Sequence, residues 1–247
     1  MTKTQWQSFA AFRERQKTQI AAWNAEFLSE LMPLQKAACA DDTPDYPIET
    51  PVVYNTSLDA VTEQSDPQLI LVSDNPGKNE QLVKNQKYLI GMSGKIAENF
   101  FRTTSIDFRQ QVIVLNKTPV HSAKTKHLNY IYAHGSAALK TLIKKSQVFM
   151  ACECANLQKA LALPLWITGY AELGHFSDAR EKGIFCDFRK SLLAAYTDVS
   201  SGALASSWNN VRVFQHFSMN RFLIDLRAHN GNLDELGEKH RKAIFGA

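Results

Sequence analysis

The chain has 247 residues, of which 45% are hydrophobic and 21% are charged, and its formal net charge is +4. This composition is typical of a globular protein and excludes an intrinsically disordered one. The mild positive charge is compatible with a polyanionic partner but does not require one. No apolar run is long enough to cross a bilayer and the polar start does not resemble a secretion signal, so we expect an intracellular, cytoplasmic protein without a membrane partner.

The first predicted element is an amphipathic helix over residues 3–32, with Trp23 and Phe27 on its apolar stripe. We assign this stripe to core packing and treat residues 1–40 as a helical N-terminal extension. Prolines dominate residues 41–66, which disfavours helix there. Because this segment still has apolar side chains to bury, we expect it to wrap around the domain in an ordered way.

Four short apolar runs follow, and helical patterns separate them. The predicted strands cover residues 68–73, 111–116, 165–168 and 211–215. The predicted helices cover residues 94–104, 136–161 and 188–195. The ambiguous segment 147–152 is interpreted as helix because it continues a 3.6-residue period. Strands that alternate with helices indicate βαβ units, so the expected fold class is α/β: a single-domain, three-layer α/β/α sandwich around a central four-stranded parallel sheet.

The four cysteines do not indicate a metal site. Only Cys152 and Cys154 lie close together, and the single residue between them gives poor zinc-site spacing. A four-cysteine cluster is the alternative, but scattered buried thiols are far commoner in intracellular chains. We therefore predict no metal and no cofactor.

Three predicted strands end in polar residues. Asp74 and Asn75 follow the first strand, Asn116 ends the second, and His216 follows the fourth. Open α/β sheets bind ligands at the carboxyl ends of their strands, so these side chains are expected to meet in one cleft. Taken singly, each is more simply a turn residue, a capping residue or a structural histidine. Ser218 is expected to cap the helix that follows His216.

The ordered set of strand-end motifs resembles the uracil-DNA glycosylase superfamily. Residues 73–80, Ser-Asp-Asn-Pro-Gly-Lys-Asn-Glu, are similar to the Asn-Pro-Gly motif of the mismatch-specific and single-strand-selective branches and to the Glu-x-Pro-Gly-x-x-Glu motif of the iron–sulfur branch. Residues 90–94 are similar to the Val-Gly-x-Ala-Gly of the iron–sulfur branch, residues 114–116 to the middle motif and residues 216–221 to the last motif.

The chain also departs from the pattern of that superfamily. Phe217 stands where proline is usual, and Asn220-Arg221 transposes an Arg-Asn pair. Leu89, preceded by Tyr88, stands in place of the phenylalanine of the iron–sulfur branch. The cysteine spacing does not match that branch either, so no cluster is expected.

The resemblance implies a DNA glycosylase of base excision repair, which hydrolyses the N-glycosidic bond of uracil or a related damaged base. His216 would donate to the base oxygen that gains negative charge, and either Asp74 or Asn75 would orient the attacking water. The implied substrate-binding residues are Asn116, Tyr88, Gly77 and Ser218. The implied DNA-binding residues are Lys124, Lys126, Met219 and Arg221.

Two other functions are compatible with the same pattern. The altered last motif favours a catalytically inactive or altered member of the fold that binds nucleic acid or a nucleobase. A small-molecule hydrolase that uses Asp74 and His216 is the third hypothesis. For the glycosylase, we expect a monomer whose partner is damaged or mismatched DNA, single- or double-stranded.

Overall fold

A computed structural model describes residues 1–177 and 183–247. In this part of the chain four strands form one parallel sheet in the order β2-β1-β3-β4. The strands are β1 (Leu69–Ser73), β2 (Val112–Asn116), β3 (Leu165–Thr168) and β4 (Val211–Phe214). The four predicted strands and their parallel arrangement are therefore confirmed. Every position of β1 and β2 is buried, as expected of strands covered on both faces.

The described residues form eight α-helices on the two faces of this sheet. They are α1 (Lys3–Cys39), α2 (Met92–Arg102), α3 (Phe108–Gln111), α4 (His127–His134), α5 (Ala137–Leu161), α6 (Cys186–Tyr196), α7 (Arg221–Ala228) and α8 (Leu233–Phe245). The three helices predicted between strands, and the helical interpretation of 147–152, are confirmed to within two residues. None of these helices is long and apolar enough to cross a membrane.

Alternation along the strands divides the core into two layers. Ile70 and Val72 of β1 pack with side chains of α1, α5 and α6, whereas Leu69 and Leu71 pack with side chains of α2 and α7. Successive side chains of a strand point to opposite faces, so a continuous apolar strand buries one set in each layer. The three-layer α/β/α arrangement is thus confirmed.

Helix α1 is longer than its predicted extent of 3–32. It begins with a capping box between Thr2 and Gln5 and continues through Pro33 to Cys39. Proline usually ends a helix because it lacks an N–H donor. Here packing beyond the proline maintains the helix, since the buried Gln35 donates from Nε2 to the carbonyl of Pro51 at 3.0 Å.

The proline-rich segment 41–66 is ordered against the loop that follows β2. Val52 and Val53 are fully buried, and the amide of Val53 donates to the carbonyl of Pro119 at 2.8 Å. A short 3₁₀ turn at Thr56–Ala60 is the one helical element assigned within 41–66. The predicted wrap around the domain is confirmed, and it supports the loop that carries the residues after Asn116.

The sheet order determines where a ligand site can form. In the sheet, β1 lies between β2 on one side and β3 on the other. The chain therefore reverses its direction of progress across the sheet at β1, and the carboxyl end of β1 is a topological switch point. Ser73 pairs with Asn116 in register, so β1 and β2 end at the same level. Asp74 and Asn75 therefore leave the sheet at the position where open α/β sheets bind their ligands.

Candidate active site

A cleft of about 460 Å³ lies at the carboxyl edge of the sheet. It brings together seven of the eleven residues that the sequence predicted for a site: Asp74, Asn75, Gly77, Lys124, His216, Ser218 and Met219. The other four, Asn116, Tyr88, Lys126 and Arg221, do not line it. The prediction that the ends of β1 and β4 meet in one cleft is therefore confirmed for their polar side chains.

His216 is held in the cleft as a neutral hydrogen-bond donor. The amide of Ser218 donates to Nδ1 at 3.1 Å, so the proton of the neutral ring lies on Nε2, which donates to Ser73 Oγ at 3.0 Å. Burial lowers the pKa of His216 below its usual value, although the charge of Asp74 acts in the opposite direction. The ring thus presents an uncharged N–H donor at neutral pH.

Ser218 does not cap the following helix, contrary to the sequence prediction. Helix α7 begins at Arg221, and its N-cap residue is Asn220, whose side chain makes no capping hydrogen bond. Two left-handed residues, Met219 and Asn220, separate Ser218 from the helix, so its hydroxyl cannot reach the first turn in the usual way. The backbone of Ser218 instead fixes the tautomer of His216.

Asp74 forms an ion pair with a lysine that the sequence prediction did not single out. The Lys117 ammonium contacts Asp74 Oδ1 and donates to the carbonyl of Thr168 at 2.5 Å. The second carboxylate oxygen has a weaker contact, with the Thr125 hydroxyl at 3.5 Å. The Asp74 side chain is 13% exposed, whereas that of Lys117 is completely buried. Lys117 therefore binds Oδ1, whereas Oδ2 has only the weak Thr125 contact among the described residues. Asp74 lines the cleft, so Oδ2 is the oxygen that can still accept a hydrogen bond there.

Asn75 is oriented by Ser122, in the loop after β2. Its Nδ2 donates to Ser122 Oγ at 2.9 Å and to the Ser122 carbonyl at 3.2 Å. Its Oδ1 is buried and finds no partner among the described residues. A buried acceptor without a partner is costly, which is typical of a position that a ligand or water completes.

Asn116 lies behind the cleft and not along it. Its side chain is almost completely buried at the end of β2, beside Ser73 in the sheet register. Its Nδ2 makes no hydrogen bond within residues 1–177 and 183–247. In this arrangement Ser73, and not Asn116, faces His216.

Tyr88 lies in the core and contributes nothing to the cleft surface, so the contact with a base that the resemblance implied is absent here. The ring packs in the α2 layer, and its hydroxyl donates to the carbonyl of Val53 at 2.5 Å. The neighbouring Leu89 lines the cleft instead. Leu89 has a left-handed backbone (φ +50°), which is uncommon for a residue that is not glycine.

Two groups outside the predicted site, the buried Glu80 and the exposed Arg109, hold the Leu89 turn. Glu80 accepts from the amide of Gly77 at 3.1 Å and receives backbone hydrogen bonds from Leu89 and Ile90. Burial raises the pKa of Glu80 to about 7. On the other side of the turn, Arg109 donates from Nη2 to the carbonyl of Leu89 at 2.9 Å. Glu80 was noted only as part of a motif, because sequence spacing does not reveal these backbone partners.

A third missed group supports the loop that carries Asn75. His121 donates from Nδ1 to the carbonyl of Pro76 at 2.8 Å, while its Nε2 accepts from the hydroxyl of Tyr46 at 2.8 Å. Burial lowers the pKa of His121 to about 4, so the ring is neutral, which suits one donated and one accepted bond. The proline-rich segment thus supports the loop after β1 indirectly, through Tyr46 and His121.

The basic turn predicted to contact DNA is partly neutralised within the protein. Asp42 pairs through Oδ2 with the ammonium groups of Lys124 at 3.2 Å and Lys126 at 2.5 Å. Its Oδ1 lies 2.9 Å from Nε2 of His127. These contacts hold the pKa of Asp42 well below its usual value, with the Lys126 bond as the largest cause. The sequence predicted Lys124 and Lys126 as DNA-binding residues, but it did not predict that Asp42 pairs with both of them.

The last two predicted DNA-binding residues are exposed. Met219 is 69% exposed at the rim of the cleft, and Arg221 is also exposed at the start of α7. The neighbouring Phe222 is buried against Phe217 in a stacked pair and belongs to the core.

Within the described residues, no group of three His, Cys, Asp or Glu side chains is placed to hold a metal ion. A scan against profiles of known protein families finds no match, and a search of curated proteins finds none either.

Proposed function

We propose that this chain is a DNA glycosylase that hydrolyses the N-glycosidic bond of uracil or a related damaged base. The observation that supports it most is the presence, in one cleft, of a neutral imidazole donor and a carboxylate delivered by two different strands. The resemblance of the strand-end motifs to the uracil-DNA glycosylase superfamily is the second support.

The reaction needs a donor for the departing base. When the C1′–N bond breaks, its electron pair remains on the base, and negative charge accumulates on the base oxygens. The Nε2–H of His216, which donates to Ser73 Oγ in this structure, would turn to such an oxygen. A pre-organised donor of this kind contributes roughly 3–4 kcal/mol to transition-state stabilisation. A neutral ring suits this role because it keeps its proton while it stabilises the anion.

The reaction also needs a group that acts on water and on the cationic sugar. The water oxygen bonds to C1′ and loses a proton, and a carboxylate can accept that proton whereas a carboxamide cannot at neutral pH. We therefore assign the charged role to Asp74, through the oxygen that Lys117 leaves available. The unpaired Oδ1 of Asn75 would accept a hydrogen bond from the same water.

Recognition of the base would complete the unpaired amide of Asn116. Asn116 Nδ2 is buried and unpaired in the described structure, so a base would reach it only if the Ser73 side chain moved away from His216. A carboxamide there can donate to a pyrimidine carbonyl. This hydrogen bond would contribute favourably to the free energy of binding, because the buried amide otherwise has no acceptor.

Contact with DNA would come from the rim of the cleft. Lys124 lies there as a cation for phosphate, and the exposed Met219 is an apolar side chain of the kind that fills the gap left by an extruded base. Extrusion costs a few kcal/mol, and less for a mismatched or single-stranded base.

The assay incubates the purified protein with single- and double-stranded oligonucleotides that contain uracil, hydroxymethyluracil, hypoxanthine or xanthine, and then cleaves abasic sites with alkali. We expect strand cleavage at the lesion by the parent protein and at least tenfold less by Asp74→Asn. Absence of cleavage with every substrate would refute the glycosylase proposal.

Binding without turnover is the second candidate function. It is favoured by one observation: in the described structure His216 already donates to Ser73, and Asn116 lies behind that contact. Fluorescence anisotropy with abasic, mismatched and undamaged duplexes distinguishes the two functions. Lesion-selective binding by a protein that releases no base would favour this second function.

A further inference from the structure

We propose that Lys117 is a positioning residue that pairs with one oxygen of the Asp74 carboxylate and so holds this side chain in one orientation at the cleft. The catalytic consequence of this role depends on the glycosylase proposal, whereas the pairing itself does not. Lys117 does not line the cleft and so touches no substrate.

The contacts of Lys117 are those of a buried ion pair. Its side chain has no exposed area, and its ammonium contacts Asp74 Oδ1 together with the carbonyls of Thr168 (2.5 Å) and Gly169 (3.3 Å). The ring of Phe185 lies 5.0 Å from the ammonium nitrogen. All three ammonium protons therefore have oxygen acceptors, which is the condition for a buried charge to be tolerated.

The backbone brings the two charges together. The amide of Lys117 donates to the carbonyls of Ser73 (2.9 Å) and Asp74 (3.0 Å), so the ladder between β1 and β2 extends one step beyond the strands. Gly169, at the end of β3, has a left-handed backbone (φ +79°), and a Cβ atom there would lie 2.4 Å from Asp74 Oδ1. The carboxylate can occupy its position only because residue 169 has no side chain.

The buried surroundings of Lys117 and Asp74 favour the pair over a single unpaired charge. Burial lowers the pKa of Lys117, while the charge of Asp74 raises it. The other titratable groups that act on the pair are Glu172, whose charge favours the ammonium, and His216, whose ring is neutral. Among the described residues, removal of Lys117 would leave the Thr125 hydroxyl as the remaining side-chain hydrogen bond of Asp74. That long contact at 3.5 Å would not hold the carboxylate in one orientation, so fewer of its conformations would be productive.

The first experiment is a double-mutant cycle that needs no substrate. Urea midpoints are measured for the parent, Asp74→Asn, Lys117→Met and the double variant. Each single substitution leaves one buried charge, whereas the double variant leaves none, so we expect the double variant to be more stable than either single one. Additive losses would refute the pairing. If Lys117→Met alone fails to fold, Lys117→Gln takes its place, and folding of the double variant supports the pairing.

The second experiment measures the consequence for activity. For Lys117→Met we expect kcat at pH 7 to fall about tenfold or more with little change in KM, because the carboxylate loses its orientation but the cleft surface is unchanged. Lys84→Met, at an exposed lysine, is the control and should match the parent. A rise in KM with kcat unchanged would refute the positioning role. If the parent shows no turnover, the glycosylase proposal fails, and the cycle still decides the pairing.

Discussion

At the scale of single residues, neighbours in sequence have different roles in the cleft. Asp74 and Asn75 are adjacent, yet Asp74 is tied to a buried lysine and Asn75 to the loop after β2. The reason is that alternate residues of an extended segment point to opposite sides. The two neighbouring side chains are therefore oriented by different elements, Asp74 by Lys117 and Asn75 by the loop that contains Ser122.

The donor role of His216 predicts a large effect of its removal. In His216→Ala, kcat should fall about 10²- to 10³-fold, because one pre-organised donor is lost, while KM should change much less. Steady-state kinetics on a uracil-containing oligonucleotide measure both constants. His134→Ala, at an exposed histidine on α4, is the matched control. Equal kcat values for the two variants would show that the donor is another group.

The buried Glu80 predicts a pH-dependent stability. Its pKa is raised from 4.5 to about 7 in the folded protein, so between these values the folded state holds a proton that the unfolded chain has released. This stabilisation is fully present below pH 4.5 and is lost as the pH rises through 7. The shift corresponds to about 3 kcal/mol at most.

Glu80→Gln isolates that contribution because glutamine does not titrate. The free energy of unfolding of the parent, relative to that of Glu80→Gln, should decrease between pH 5 and pH 8, as measured by urea denaturation at several pH values. A difference that is constant with pH would mean that the Glu80 carboxyl has an ordinary pKa.

At the scale of elements, the loops after the strands are shaped by groups that come from other elements. The turn at Leu89 is held by Glu80 from one side and by Arg109 of α3 from the other, and Gly94 of α2 leaves room for the Leu89 carbonyl. Strained backbone persists only where several contacts enforce it, and such positions concentrate at functional sites. The ends of the strands were predictable from the sequence, but the loops that support one another were not, because their contacts join distant residues.

The loop after β3 offers a test that separates steric conflict from backbone strain. Gly169 and Gly202 both have positive φ (+79° and +70°), but a Cβ atom would meet Asp74 only at residue 169. Gly169→Ala should therefore cost about 1–3 kcal/mol more in free energy of unfolding than Gly202→Ala, and it should also reduce activity. Thermal and urea denaturation of both variants provide the comparison. Equal losses would mean that the Asp74 carboxylate moves aside freely.

At the scale of the whole molecule, the net charge of +4 overstates the positive field at the cleft. Asp42, which lies far from the basic turn in sequence, accepts contacts from Lys124, Lys126 and His127. Surface pairs of this kind are weak, and a phosphate can compete for the same cations. The positive charge that this turn presents therefore depends on one carboxylate beyond the end of α1.

Removal of that carboxylate predicts stronger binding to DNA. In Asp42→Asn, the two lysines are released, so affinity for a lesion-containing duplex should rise, and the slope of log Kd against log salt should steepen by about one to two. Fluorescence anisotropy at several salt concentrations measures both quantities. Asp66→Asn, at an exposed acid elsewhere, is the control. Weaker binding by Asp42→Asn would exclude this turn as a phosphate contact.

The architecture followed from local patterns that a single sequence carries. Apolar runs of five residues, bounded by turn residues and separated by helical periods, were sufficient to predict four parallel strands between two layers of helices. The extent of α1 was not predictable in this way, because Pro33 is a local stop signal and the packing that overrides it involves Gln35 and the distant Pro51.

The arrangement of side chains at the cleft was predictable from the sequence in part, and the rest is visible only in the tertiary structure. Strand ends in the sequence were enough to predict that Asp74, Asn75 and His216 approach one another, because parallel strands share their carboxyl edge. Only the tertiary structure shows that Lys117 is buried against Asp74. The same is true of Asn116, which lies beside Ser73 and does not line the cleft. Their causes are contacts between residues far apart in the chain, and neither residue type nor spacing encodes which distant partner a polar side chain meets.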